Sequence, residues 1–152
     1  MADIFAIAIG RDAVASGGDS IAIGSQTKAT KQYSVAVGND IGFTAYAGTA
    51  VGQQAYASGD NSTAIGAYAG SWGLASTAVG GFSKAEGQLA TAIGYHSQAN
   101  VDYGTALGDY SEVKAGWGAA IGASSVADRE AGVVGAFAPE GADSLTWKAN
   151  AG

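Results

Sequence analysis

The chain has 152 residues, of which 25 are glycine and one is proline, and its formal net charge is −6. This composition excludes collagen, which needs glycine at every third position, and a disordered linker rich in both glycine and proline. Seven lysines and arginines leave no basic patch for nucleic acid, and the absence of cysteine excludes disulfides and thiolate metal sites. The apolar stretches are short and interrupted, so we expect no direct membrane insertion by this segment.

The sequence repeats with a period of fourteen residues. A motif of Ala, then Ile, Val or Leu, then Gly ends at nine evenly spaced glycines, which are Gly10, Gly24, Gly38, Gly52, Gly66, Gly80, Gly94, Gly108 and Gly122. A tenth copy, Val133-Val134-Gly135, comes one residue early. A fixed period is typical of a solenoid, in which each repeat forms one coil. We expect about ten repeats over residues 1–135, and a cap or the start of another subdomain over 136–152. Because the chain begins inside a repeat, we expect it to be a segment of a longer protein.

Each repeat contains two segments with the composition of strands. With the periodic glycine as position fourteen, positions ten to thirteen are rich in β-branched residues, as in Ser-Ile-Ala-Ile at 20–23. Positions three and five are mostly small while positions four and six are variable, and this alternation predicts a second strand. The glycine turns the chain, where a positive φ or a close approach of backbone is needed. The sequence therefore predicts an all-β, parallel β-solenoid with coils about 4.8 Å apart.

An apolar column follows the first strand of every repeat. Position twelve is alanine in all regular copies, and if it faces the interior, the neighbouring position thirteen points outward. We predict an interface or core role for position thirteen, which comprises Ile23, Val37, Val51, Ile65, Val79, Ile93, Leu107 and Ile121. Soluble monomers rarely expose such a column, so we expect a homo-oligomer that buries it. The alternative is a wider, monomeric solenoid with positions eleven and thirteen inside and alanine outside.

The segments DSIAIG (19–24), YSVAVG (33–38) and NSTAIG (61–66) resemble the head repeats of trimeric autotransporter adhesins of the YadA type. The resemblance covers about residues 1 to 135. It implies a left-handed parallel β-roll and a homotrimer with three chains packed side by side. It also implies an extracellular position at the bacterial cell surface, anchored to the outer membrane by other parts of the chain. The implied partners are extracellular matrix proteins, host cells or abiotic surfaces, and the implied functions are attachment and autoagglutination.

A nine-residue form of the family repeat, Asn-Ser-Val-Ala-Ile-Gly-x-x-Ser, is associated with collagen binding. Residues 61–69 depart from it, because Thr63 replaces the valine and Ala69 replaces the final serine. The other fixed residues match and are Asn61, Ser62, Ala64, Ile65 and Gly66.

The sequence shows no arrangement that indicates catalysis. His96 is the single histidine, there is no cysteine, and the carboxylates are scattered over different repeat positions. Nucleophilic, acid–base and metal-assisted mechanisms need such groups in clusters. We therefore expect a non-enzymatic protein without a metal or another cofactor.

One aromatic column is the candidate functional surface. At position two, four consecutive repeats carry Tyr68, Phe82, His96 and Tyr110, which stacked coils place about 4.8 Å apart. This aromatic ladder can stiffen one edge of the solenoid through ring stacking. It can also form an adhesive stripe, because exposed aromatic residues are common in contact surfaces.

Two further functions are compatible with the same repeats. One is a purely structural trimeric rod, such as a spacer module of a phage fibre. The other is ice binding, which regular threonine arrays on a solenoid suggest. The threonines form a single column at position eleven and are Thr49, Thr63, Thr77, Thr91 and Thr105.

Overall fold

The computed structural model describes residues 5–42 and 44–129. In this part of the chain the backbone winds as a parallel β-solenoid with one coil for every fourteen residues, and it contains no helix. The described ranges therefore contain no helix that is long and apolar enough to cross a membrane. The expected tenth motif, Val133-Val134-Gly135, and the expected cap at 136–152 lie outside the described residues.

The first sheet contains nine parallel strands, one from each coil. They are Ile7–Ile9, Ile21–Ser25, Val35–Asn39, Thr49–Gln53, Thr63–Ile65, Thr77–Val79, Thr91–Ile93, Thr105–Leu107 and Ala119–Ile121. Neighbouring strands pair at an interval of fourteen residues, as Thr77 does with Thr91. The β-branched residues at positions eleven and thirteen favour this extended conformation. The predicted first strand is confirmed in the nine coils that the structure describes.

The second sheet is built from positions four and five, with two residues from each coil. Six strands pair in succession and are Tyr56–Ala57, Gly70–Ser71, Lys84–Ala85, Gln98–Ala99, Glu112–Val113 and Val126–Ala127. A separate pair is formed by Val14–Ala15 and Lys28–Ala29. The break between these groups falls in coil 39–52. The coils remain connected there, because the Lys28 N–H donates to the Ile41 carbonyl at 2.9 Å.

Two four-residue turns join the strands of each coil, one over positions fourteen to three and the other over seven to ten. Backbone hydrogen bonds close them, as from the Ser83 N–H to the Gly80 carbonyl and from the Ser76 N–H to the Gly73 carbonyl, at 3.3 and 3.2 Å. The third residue of each turn has a positive φ, between 50° and 61°, as a type II turn requires. The Ser76 hydroxyl also donates to the Gly73 carbonyl at 2.7 Å, which strengthens the turn.

The interior between the two sheets consists mainly of alanine and serine. Position twelve is fully buried from Ala22 to Ala106, and Ala120 is only 3% exposed. The hydroxyl oxygens of Ser71 and Ser76 lie 2.6 Å apart across the interior. The narrow roll is therefore confirmed. The alternative of a wider solenoid with alanine on the outside is wrong, since the alanines of position twelve are buried while isoleucine and leucine at position thirteen are exposed.

Larger interior residues are accommodated by glycine on the facing segment. Val113 at position five is fully buried where most other coils have alanine or serine. The neighbouring position ten, often serine, is glycine at Gly104 and Gly118. A Cβ atom there would come within 3.2 and 3.0 Å of Val113 Cγ1. The small facing residues therefore offset the larger volume of the Val113 side chain.

Substitution of a periodic glycine tests the turn. Gly80 has a φ of +128°, and a Cβ atom at this position would lie 2.5 Å from the Gly94 carbonyl oxygen. We expect Gly80→Ala to lower the free energy of unfolding by about 1–3 kcal/mol, because it combines backbone strain with a clash against backbone. Denaturant unfolding followed by circular dichroism measures the loss.

The neighbouring glycine provides the matched control for this substitution. A Cβ atom at Gly81 would meet the Tyr95 ring at 3.4 Å, an ordinary contact. We expect Gly81→Ala to change the stability by less than about 1 kcal/mol. Equal unfolding midpoints for the two variants would contradict the role assigned to the glycine at position fourteen.

Candidate functional site

The aromatic ladder stands on the same turn of four successive coils. Its members, Tyr68, Phe82, His96 and Tyr110, each occupy the third turn position with φ between 54° and 58°. Bulky residues rarely adopt this left-handed conformation. It is maintained here by bonds between coils, such as that from the Phe82 N–H to the Ala67 carbonyl at 2.9 Å. Because the backbone repeats, the four side chains leave the roll in the same direction.

The four rings form one continuous stack. The ring centroids are 4.9 Å apart between Tyr68 and Phe82, 4.9 Å between Phe82 and His96, and 5.2 Å between His96 and Tyr110. The planes of successive rings differ by no more than 10°. These separations correspond to the spacing of adjacent strands in a sheet. The coil repeat therefore sets the geometry of the stack.

A fifth ring lies against the side of the ladder. Tyr95, at position one, makes edge-on contacts with Phe82, His96 and Tyr110, at centroid distances of 5.9, 4.6 and 5.7 Å. Stacked and edge-to-face pairs are both favourable arrangements of aromatic quadrupoles. Tyr68, Phe82, Tyr95 and Tyr110 nevertheless remain exposed to solvent. The result is a rigid aromatic surface that one chain leaves open.

The opposite edge of the roll carries a smaller aromatic group. Tyr103 and Trp117, both at position nine, stack with their ring centroids 3.9 Å apart. Tyr33 and Tyr46 make an edge-on contact at 5.8 Å. Aromatic residues therefore occur on both turn edges, but the continuous row of four is at position two.

The apolar column at position thirteen lies on the outward side of the first sheet. Ile65 and Leu107 are 40% and 43% exposed, whereas the adjacent Ala64 and Ala106 are fully buried. The valines of the column are half-buried, as are the threonines at position eleven on the same side. We call this surface the apolar face. In a single chain it is continuous along the rod and uncovered.

The carboxylates on the turns serve the backbone. Asp60, Asp102 and Asp109 accept hydrogen bonds from N–H groups of the preceding coil, at Tyr46, Gln88 and Tyr95, over 3.2, 2.8 and 3.1 Å. In the described ranges, no three or more His, Asp or Glu residues are grouped so that they could hold a metal ion. Asp60, Asp102 and Asp109 therefore act as turn caps.

One surface feature was not indicated by the sequence pattern. On the outward side of the second sheet, Gly42 and Gly70 flank Tyr56 at position four, which other coils fill with side chains such as Lys84. The missing side chains leave a groove of about 350 Å³. Glycine at an outward, variable position was the only available signal, and it does not predict where the neighbouring rings lie.

The repeats of this chain match the model of a known family. The YadA head domain repeat, in its two-copy form, matches residues 4–27, 15–40, 44–69 and 85–111, together more than half of the chain. Among solved structures, the chain is similar to the collagen-binding domain of the Yersinia adhesin YadA, a crystal structure with 28% identity and a TM-score of 0.45. The match covers 84% of this chain and 78% of that one. No curated protein matches. The chain therefore belongs to the family of YadA head domain repeats, the surface-exposed and non-enzymatic heads of bacterial adhesins.

Proposed function

We propose that the chain forms a rigid homotrimeric head that attaches bacteria to extracellular matrix proteins, host cells or abiotic surfaces, and that it contributes to autoagglutination. In this proposal other parts of the protein anchor the head in the outer membrane. The aromatic ladder is the observation that carries the proposal. Its rings are exposed but held in place by stacking, so that they lose little conformational freedom on binding. Such pre-organised aromatic residues are favourable contact groups.

The apolar face supports the trimer. Exposed isoleucine and leucine side chains and half-buried valine side chains run along the whole described rod on one side of the first sheet. Packing three copies through this side removes an apolar patch from water. The second sheet lies on the other side of the thin interior, so the same packing leaves it accessible.

Trimer symmetry adds to the strength of attachment. Each chain presents one aromatic ladder, and three ladders on one rigid rod engage a surface together. Linked sites bind more tightly than separate ones when their geometry permits simultaneous contact. Weak contacts at each ladder are therefore sufficient for firm adhesion.

The nine-residue collagen-associated pattern is partly buried in this chain, with Asn61 and Ile65 as its exposed matched residues. Within residues 61–69, Ser62, Ala64 and Ala69 are fully buried, and Gly66 occupies the turn. Buried groups cannot touch a partner. We therefore assign surface recognition to exposed turn residues such as the aromatic ladder.

Charged substitutions on the apolar face test the trimer. Light scattering across a hundredfold dilution is expected to give three times the mass of one chain. Ile65→Asp combined with Val79→Asp is expected to yield monomers, because burying unpaired carboxylates in an apolar interface is costly. Thr30→Asp combined with Lys84→Asp, on the second-sheet side, is expected to leave the mass unchanged.

A wild-type mass equal to one chain would contradict the trimer. The threonines at position eleven would then be exposed on a lone rod, and thermal hysteresis in a freezing assay would become the measurement that decides on ice binding.

The aromatic ladder is tested by replacing Tyr68, Phe82 and Tyr110 with serine. Serine is accepted at this turn position, since Ser124 occupies it with a φ of 57°. We expect retention on surfaces coated with matrix proteins, collagen included, on host cells and on plastic to fall at least about tenfold, because contact aromatics at the centre of an interface often contribute more than 1 kcal/mol each. The thermal unfolding midpoint is expected to change little in comparison.

Serine at Tyr33, Tyr103 and Trp117 provides a matched control, since these three exposed rings stand on the opposite edge. The control variant is expected to adhere like the wild type. A large drop in the unfolding midpoint with full adhesion of the ladder variant would instead favour a structural rod, in which the ladder only stiffens the scaffold.

A further inference from the structure

The groove on the outward side of the second sheet has the chemistry of a binding site. It lies beside coils 39–52 to 67–80 and is lined by Asp40, Gly42, Gln54, Tyr56, Tyr68, Ala69, Gly70 and Trp72. Tyr56, Tyr68 and Trp72 are exposed aromatic residues. Asp40 and Gln54 are polar residues at one end of the groove. Apolar walls with a few convergent polar groups are typical of sites for small ligands.

Gly42 and Gly70 determine how the side chains of Tyr56 and Trp72 lie. A Cβ atom at Gly70 would overlap the far edge of the Trp72 ring, so the indole packs directly over this residue. At Gly42, the Tyr56 hydroxyl would lie 3.5 Å from such a Cβ atom. The Trp72 side chain therefore lies along the sheet surface over Gly70, and the Tyr56 side chain lies along it toward Gly42. Tyr68, the first ring of the aromatic ladder, stacks on Phe82 with one face and has its other face toward the coil of Gln54.

The polar end of the groove is pre-organised. The Gln54 amide nitrogen donates to the Asp40 carboxylate, with Nε2 and Oδ2 2.6 Å apart. The second Asp40 oxygen, the Gln54 carbonyl oxygen and the second amide hydrogen are the remaining donors and acceptors of this pair. Together they match the adjacent hydroxyl groups of a sugar, which both donate and accept.

The groove continues past Asp40 along the rod. A second cavity of about 350 Å³ is lined by Asp12, Gln26, Lys28, Asp40 and Gly42, and it shares Asp40 and Gly42 with the first. The two cavities extend over five coils, which is roughly 19 Å at the ordinary strand spacing. This length fits a short chain of sugar rings better than a single ring.

The charge of the groove lining and the pairing of the backbone beneath it limit the class of ligand that can bind. Two carboxylates and one lysine line the combined groove, which disfavours sulfated or otherwise acidic chains. The backbone beneath Tyr56 and Gly70 is already paired, by bonds from the Tyr56 N–H to the Ala69 carbonyl and from the Gly70 N–H to the Ser83 carbonyl, both under 3 Å. An extended peptide therefore finds no free strand edge to join beside these two residues.

We propose that this groove binds a neutral oligosaccharide, with C–H groups of the sugar rings against the outward face of Trp72 and the exposed parts of Tyr56 and Tyr68, and with hydroxyl groups on Asp40 and Gln54. Aromatic faces carry negative charge density, which attracts the polarised C–H groups of a sugar. The proposal rests on the proposed adhesive function, for which it names a ligand class. The groove lies on the side opposite the apolar face, so the proposed trimer leaves it open.

The test uses the whole chain and neutral β-linked tetrasaccharides of glucose, galactose and N-acetylglucosamine, with heparin as the sulfated comparator. Saturation-transfer NMR detects binding, and calorimetry gives the dissociation constant. We expect at least one neutral probe to bind and heparin not to bind. Trp72→Ala and Asp40→Ala are each expected to weaken the interaction roughly tenfold.

A second kind of variant distinguishes loss of the binding site from loss of folding. Gly70→Ala is expected to push the Trp72 ring off its position without removing any contact group, and to weaken binding while the circular dichroism spectrum is unchanged. Trp117→Ala provides the matched control, because this tryptophan is exposed on the opposite edge, outside the groove.

The failure of this inference is distinguishable from failure of the proposed function. Binding of heparin alone, binding of no neutral probe, or equal affinity of Trp72→Ala and the wild type would overturn the oligosaccharide site. Adhesion to protein-coated surfaces by the Trp72→Ala variant is a separate measurement. If that adhesion persists while the ladder variant loses it, the adhesive function stands without the glycan groove.

Discussion

The whole molecule depends on backbone hydrogen bonds that connect each coil to the next at one fixed interval. The Ile21 N–H donates to the Ser34 carbonyl at 2.9 Å, the Tyr33 N–H donates to the Gly18 carbonyl at 2.8 Å, and equivalent bonds recur along the rod. Every side chain is consequently placed above its counterpart fourteen residues away. A residue type that recurs at one position of the repeat forms a continuous row along the rod. Alanine thus forms the interior, isoleucine and valine form the apolar face, and aromatic residues form the ladder. Position in the repeat, more than position in the chain, determines the role of a residue.

The period predicted most of this architecture. Strands, interior and ring spacing follow from it, because stacked coils allow few other arrangements. The left-handed backbone at Phe82 and His96 was not predictable from residue type, since neither residue prefers that conformation. The groove escaped prediction because it depends on how the Trp72 side chain lies over Gly70, which is a matter of side-chain packing and not of repeat position.

The three surfaces of the roll have different chemical characters. The first sheet presents aliphatic side chains, one turn edge presents stacked rings, and the second sheet presents lysines, glutamates and a groove with aromatic walls. The ladder and the groove share Tyr68. The apolar face lies on the other side of an interior filled by alanine and serine, so substitutions there have little reason to disturb the groove. This separation lets oligomerisation and recognition be encoded in the same fourteen residues.

The alanine and serine interior has a thermodynamic consequence. Unfolding such a roll exposes mainly peptide groups and small side chains, while a globular core exposes large aliphatic and aromatic ones. Hydration of apolar surface raises the heat capacity of the unfolded chain and hydration of polar surface lowers it. The heat-capacity change of unfolding for each residue is thus smaller here than in a globular domain of equal length. Enthalpy and entropy then vary less with temperature, and the stability curve of the rod is broad and flat.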